Sequence, residues 1–310
     1  MRLFDLHCDT ATCLLNEKQG LYDNTFHVSL KNAAYLENYA QVMAVWTHHK
    51  LNDNDGYLKF YEVIDNLEKE IHINQKLVGL AKNATDIHEL IALGKTPLIL
   101  SVEDARILEN DISRLDALYS RGVRLITLNW YGDTCIGGAH DTRNGLTKFG
   151  IEVVKRCFNI GIIPDVSHSS FQGTSQVIEL AKQYNKPIIA SHSDSYSVNP
   201  HTRNLRDEDF TLISALGGLV GINLCPSHLS NQDKVDIVSI IKHIEYYLAL
   251  GGANTLAMGC DFDGTDLPQG IAGISDIYKI ANEMQKMNYS NELTDKILYK
   301  NAFNFFTKNL

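Results

Sequence analysis

Short apolar, β-branched runs alternate along the chain with longer stretches in which apolar positions recur every three or four residues, the periods of strand and helix. The first run, ending Asp5-Leu6-His7-Cys8-Asp9, predicts a strand, followed by QVMAVWTH from Gln41, TPLILSVED from Thr96 and VRLITLN from Val123. IIPDVSH from Ile162, PIIASH from Pro187, LVGINL from Leu219 and TLAMGCD from Thr255 bring the number of strands to eight. Between them, the segment from Asp55 to Ile71 sets Leu58, Tyr61, Ile64 and Leu67 at helical spacing. Helices are also predicted from Ser113 to a stop at Gly122, from Lys148 to Gly161, and from Phe171, Arg206 and Val235, with two more from Ile274 and Glu292.

Eight strand-helix pairs predict an α/β protein, a single (β/α)8 TIM barrel over residues 1–310 whose chemistry sits at the carboxyl ends of the strands. An open doubly wound sheet also alternates, but eight pairs within this length favour closure. Residues from about Gly132 to Asn144, rich in Gly, Asp and Thr, form a long loop after the fourth strand and are expected near the barrel mouth.

Twenty-eight basic against 37 acidic residues give a net charge of -9, spread along the chain, which argues against a nucleic-acid partner. No run of about 18 apolar residues occurs, and MRLFDLHCDT lacks the apolar stretch of a signal peptide, so the expected location is cytoplasmic with no membrane partner. The cysteines at 8, 13, 135, 157, 225 and 260 include no C-x-x-C, which suggests neither a disulfide framework nor a thiolate zinc site. An acidic barrel of this size is compatible with a homodimer, for which no surface stands out.

Polar residues stand at the ends of five predicted strands: His7-Cys8-Asp9, Glu103-Asp104, Asp165 to His168, Ser191-His192, and Asp261-Phe262-Asp263-Gly264. Each alone has an ordinary explanation. His7 can be a half-buried histidine, Glu103 can pair with Arg106, His168 can cap the following helix, and Asp263-Gly264 is a good turn. In a barrel, however, all five converge on one face, and coincidence there points to a site. Two ions can be held if one carboxylate bridges them: His7 and Asp9 on one ion, His168 and His192 on the other, Glu103 between. Oxygen and nitrogen donors without thiolate suit zinc, two ions per chain, with manganese or iron left open. Asp261 remains free of obligatory coordination and suits proton transfer. Strict alternation also turns Asp5 to the face of His7, deeper in the barrel, where it is expected to orient a ligand.

DLHCDT, SVEDA, GLTKFGIEVVKR followed by DVSHSS, ASHSDSY, HTRNLRDEDF and GCDFDGTD together resemble, in order and interval, the membrane dipeptidases (renal dipeptidase family) among the metal-dependent amidohydrolase barrels. The resemblance runs nearly the full length. It implies a binuclear zinc site of His7, Asp9, Glu103, His168 and His192, proton transfer by Asp261, and capture of a substrate's terminal carboxylate by Arg203, whose ordinary reading is a surface arginine beside Asp207. One departure is evident in LTLNWYGD, where mammalian dipeptidases carry a substrate-holding histidine and this chain has Trp130, preceded by Asn129. These two are the remaining candidate substrate-binding positions, although an indole cannot supply the same charge or lone pair. His140, ten residues further on, is a candidate replacement.

The implied function is zinc-dependent hydrolysis of the peptide bond of a dipeptide by a metal-bridging hydroxide. Hydrolysis of N-acyl amino acids or cyclic amides at the same site, and a barrel that binds metal or ligand without catalysis, are the alternatives.

Overall fold

The computed structural model describes all 310 residues. Nine parallel strands form one sheet: β1 (Arg2–Cys8), β2 (Asn38–Trp46), β3 (Val78–Leu80), β4 (Thr96–Glu103), β5 (Val123–Thr127), β6 (Ile163–Asp165), β7 (Ile189–Ala190), β8 (Leu219–Ile222) and β9 (Leu256–Met258). The sheet closes because β9 pairs with β1 at Met258 and Asp5, while β2 pairs directly with β4 from Gln41 and Leu98 onward. The barrel therefore has eight strands, those expected from the apolar runs. The ninth, β3, pairs only with Thr96 to Leu98 at the start of β4. Its three residues are too few to show a period.

One buried cluster takes residues from every barrel strand: Phe4 and Leu6, Ala40 and Val42, Ile99, Leu125, Ile163, Ile189, Leu219 and Ala257. Alternate positions on these strands enter a second, larger cluster shared with the helices, as a barrel core inside a helical ring requires. Near the mouth the interior narrows onto backbone. A Cβ added at Gly221 or Gly259 would stand 1.9 or 1.8 Å from the Ser191 carbonyl oxygen, so both positions need glycine for close approach.

The helices begin where short polar residues can accept a free amide. Asn52, Asn83, Thr147, Ser170 and Ser290 each cap the helix that follows them. Gly122 and Gly161 end their helices in the left-handed region, at φ 110° and 87°, as their positions predict. The chain's end returns to its beginning. The helix Asn301–Asn309 seals the barrel floor, Phe306 stacking on Phe4 at 5.0 Å, while Arg2 Nε donates to Asp295 Oδ1 at 3.0 Å.

On the helix Ile237–Ala249, buried His243 ties two loops of the upper face together. Its Nδ1 accepts the Ser195 amide at 3.0 Å, so Nε2 carries the proton given to the Leu229 carbonyl at 2.9 Å. Burial, with Lys242 nearby, lowers its pKa to about 4 against the Leu229 bond that raises it. The native state thus binds fewer protons than the unfolded chain, and this stabilisation is present above about pH 6.5 and lost as pH falls toward 4. Urea unfolding at pH 7 and pH 4.5 should show wild type losing on the order of 2 kcal/mol more than His243→Gln over that interval. Parallel loss would contradict a neutral, buried imidazole.

Candidate metal centre

The upper ends of the strands carry the site. The β1–β2 pairing slips by one residue between Asp5 and Cys8, so alternation breaks there. As a result Leu6 packs in the barrel interior, His7 faces the site, and Cys8 lies in the outer layer with its Sγ against Met43 Sδ at 3.4 Å. Asp5 does not share the environment of His7, contrary to the alternation reading. Its Oδ1 accepts the Cys260 amide at 2.8 Å and its Oδ2 accepts Gln41 Nε2 at 2.8 Å, so it fixes the end of β9 rather than a ligand imidazole. Left-handed backbone also gathers here. Asp104, His168, Asp261 and Asp263 all have positive φ, between 57° and 81°, a costly conformation for side-chain-bearing residues that the surrounding packing must hold.

Glu103, at the end of β4 and only 3% exposed, divides its two oxygens between two groups of donors. Oε2 lies 3.4 Å from His7 Nε2, and Oε1 lies 3.0 Å from His168 Nε2 and 3.6 Å from His192 Nε2. On the first side, Asp9 Oδ2 and Asp261 Oδ1 stand 3.5 and 3.9 Å from His7 Nε2. Two sets of three donors, His7 with Glu103 and His192, and His7 with Asp9 and Asp261, have their ligand atoms within 4.8 Å of one another. Asp261 thus stands closer to the donor set than its sequence reading as an uncommitted carboxylate implies.

The imidazole tautomers can be followed outward. His168 Nδ1 faces the Trp130 carbonyl at 3.1 Å, an acceptor, so Nδ1 carries the proton and Nε2 presents a lone pair. His192 Nδ1 meets Ser191 Oγ at 2.7 Å, and that hydroxyl gives its own proton to Asp165 Oδ2 at 2.5 Å. His192 Nε2 is therefore bare too, and the two bare nitrogens face each other at 3.0 Å. Burial, with Arg203 nearby, lowers both imidazoles well below the ordinary histidine range and keeps them neutral. On the other side, burial pushes Glu103 up to about 8, helped by Asp9. His7 Nε2 and Asp9 Oδ1 are buried with no hydrogen-bond partner. Converging lone pairs and carboxylates without donors between them are what divalent cations satisfy, and the donor set fits them.

Two further residues, Asp165 and Asn223, support the ligands. Asp165 accepts four bonds: the Ser167 and Ser191 amides at 2.9 Å, Thr127 Oγ1 at 2.6 Å, and Ser191 Oγ. It thereby fixes the strand ends that carry His168 and His192. Asn223 donates to Asp261 Oδ2 at 3.1 Å and to the His192 carbonyl at 3.3 Å. An acidic residue inside a strand end is detectable in sequence for Asp165; Asn223 gives no such signal. Glu103 does not pair with Arg106. Asp104 does, its Oδ2 3.1 Å from Arg106 Nε.

A cavity of ≈ 340 Å³ opens above the donors. Asp9, Glu103, His168 and Asp261 line it, together with Trp46, Trp130, Tyr131, His140, His201, Arg203 and His228. Arg203 is 5% exposed, and its Nε and Nη1 have no partner. It is not beside Asp207, which instead accepts from Ser197 and Tyr246. His140 does reach the mouth, with its ring 5.9 Å from that of His168 and Nδ1 3.1 Å from Thr202 Oγ1. Asn129 is placed differently from expectation. It is fully buried and outside the cavity lining, its Nδ2 donating to the Gly137 carbonyl at 3.0 Å, so it pins the long loop.

A closed parallel barrel with carboxylates and imidazoles converging at its strand ends defines a metal-dependent hydrolase architecture. The chain belongs to the membrane dipeptidase family (peptidase family M19), whose model matches residues 1–309, and is a metallo-dipeptidase by that membership, with divalent metal as its cofactor. It is similar to the dipeptidase tcpJ of Claviceps purpurea, 28% identical over 92% of this chain and 69% of that protein. An uncharacterized protein encoded in the pqqA 5' region of Klebsiella pneumoniae is 28% identical over 77% of this chain and 94% of its own length. A metallopeptidase structure from Rhodobacter sphaeroides, liganded with a phosphinate mimic of L-Ala-D-Ala, superposes with TM-score 0.92 over 100% of this chain and 99% of that one at 22% identity. No helix is long and apolar enough to cross a membrane.

Replacing Asp165 by Ala should cost roughly 3–5 kcal/mol in urea unfolding, since four buried donors lose their acceptor at once. Elemental analysis of the same variant should show reduced metal content. Wild-type metal retention would sink the positioning role. Dialysis against a chelator should lower the Tm of wild type, and divalent metal should restore it.

Proposed function

We propose that this chain is a zinc dipeptidase that holds two ions, one through His7 and Asp9 and the other through His168 and His192, with Glu103 shared. The single observation that carries the reading is a buried guanidinium facing the same cavity as the donor set, its Nε and Nη1 without a partner and its Nη2 donating to the His192 carbonyl at 3.5 Å. Arg203 offers a free carboxylate two parallel hydrogen bonds, and a substrate held there presents its peptide bond to the strand ends. Bound in such a site, paired divalent ions supply an activated water and polarise a carbonyl.

The remaining work falls to side chains. Burial raises the Asp261 carboxyl above its ordinary range, opposed by His7 and assisted by Asp9, which suits a group that takes up a proton and returns it to a departing amine. Asn223 holds Oδ2 of that carboxylate, which leaves Oδ1 turned toward His7. His168 depends on the main chain of residue 130, so tryptophan there preserves the carbonyl that orients the ligand. The neutral imidazole of His140, its pKa lowered to about 4 by burial and Arg203, supports a hydrogen-bonding role at the mouth. Soluble, cytoplasmic function and a homodimeric assembly are part of the same proposal.

Arg203→Ala should raise KM roughly 30-fold or more for dipeptides, with a smaller effect on C-terminally amidated ones, and Arg203→Lys should not restore it. Equal effects on free and amidated substrates would argue against carboxylate capture. Asp261→Asn should lower kcat by about 10²–10⁴, with elemental analysis separating lost chemistry from lost metal. Two bound metals with no cleavage of any dipeptide would favour N-acyl or cyclic amides.

A further inference from the structure

We infer that Trp46 and Trp130 form a side-chain subsite that selects dipeptides with a large apolar amino-terminal residue, an inference that rests on the dipeptidase reading. These are the chain's two tryptophans, and both line the cavity above the donors. Their rings meet at 5.1 Å with a 55° tilt, and His49 stacks on Trp130 at 5.3 Å and 20°.

The barrel order sets where this wall stands. Trp46 ends β2 and Trp130 follows β5, so they flank Glu103 on β4. Arg203 follows β7 and His228 follows β8, on the other side of the mouth. A dipeptide with its carboxylate on Arg203 and its peptide bond over the donors extends its amino-terminal residue toward β2 and β5. That side offers indole faces rather than charge. Aromatic walls of this kind reward burial of a large apolar side chain.

The wall is also braced. Thr12 Oγ1 donates to the Trp46 carbonyl at 3.1 Å, and His168 Nδ1 holds the Trp130 carbonyl. Arg106 Nη2 donates to the Thr47 and His48 carbonyls, both at 3.1 Å, and its Nη1 donates to that of Leu51 at 3.0 Å. The segment that brings His49 against Trp130 is therefore tied to β4 and does not hang free.

The test measures kcat/KM of the metal-loaded protein on Gly-Gly, Ala-Gly, Leu-Gly and Phe-Gly. Wild type should favour Leu-Gly and Phe-Gly over Ala-Gly by about tenfold or more. In Trp130→Ala that ratio should fall to within about threefold, and Trp130→Phe should keep most of it. Because both indoles lie in the wall, wild-type emission excited beyond tyrosine absorption should change on saturation with Leu-Gly. Equal turnover of the four substrates by wild type, an unaltered ratio in Trp130→Ala, or unchanged emission would each overturn the subsite while leaving dipeptidase activity intact. Absence of turnover on all four with metals bound would instead remove the dipeptidase reading, and the subsite with it.

Discussion

The upper half of the barrel is organised around an unfavourable electrostatic arrangement. Glu103, Asp9 and Asp261 are brought together out of water beside Nε2 of His7, with the lone pairs of His168 and His192 turned inward. Left to itself such a cluster recruits protons, which is why burial raises Glu103 and why the carboxylates hold His7 well above its ordinary range despite burial. Divalent cations remove the conflict by supplying the missing positive charge. The site is thus costly to fold and favourable to load, and the surrounding structure must resist its relaxation.

That resistance comes from bonds directed at the backbone of the strand ends as well as at the ligand side chains. Asp165 holds the amides of Ser167 and Ser191, Asp5 holds that of Cys260, and the Trp130 carbonyl fixes His168. The first two take hold of strand ends and the third fixes a ring, so a ligand's position follows from its strand as well as from its rotamer. The left-handed residues at Asp104, His168, Asp261 and Asp263 belong to the same design, because they turn the chain sharply where a strand must release its last side chain into the mouth.

The strands were legible because their apolar runs have length and period, and the donors were legible because they stand at the ends of those runs. What escaped were features without a period or a motif. Three-residue β3 is one. Another is the slip within β1, which moves Asp5 away from His7, since pairing register depends on a partner strand over 30 residues distant. Asn129 and Asn223 carry the same side chain, yet one pins a loop and the other orients Asp261. That distinction is made by which way each strand end turns, a property of closure rather than of local sequence. Trp130 shows the reverse case, in which an unfamiliar side chain conceals a retained carbonyl.

Closure of the floor by Phe306 on Phe4 bears on how the molecule comes into being. The contact joins residues about 300 positions apart, and β1 finds its second neighbour only in β9, so the most demanding pairings are also the most distant in the chain. Glu103, His168 and His192 lie on segments synthesised well before Asp261, and β1, which carries His7, has one edge without its partner until β9 is made. Closure of the barrel therefore belongs to the final stage of biogenesis, and a chain ended before β9 would lack both its seal and the Asp261 carboxylate.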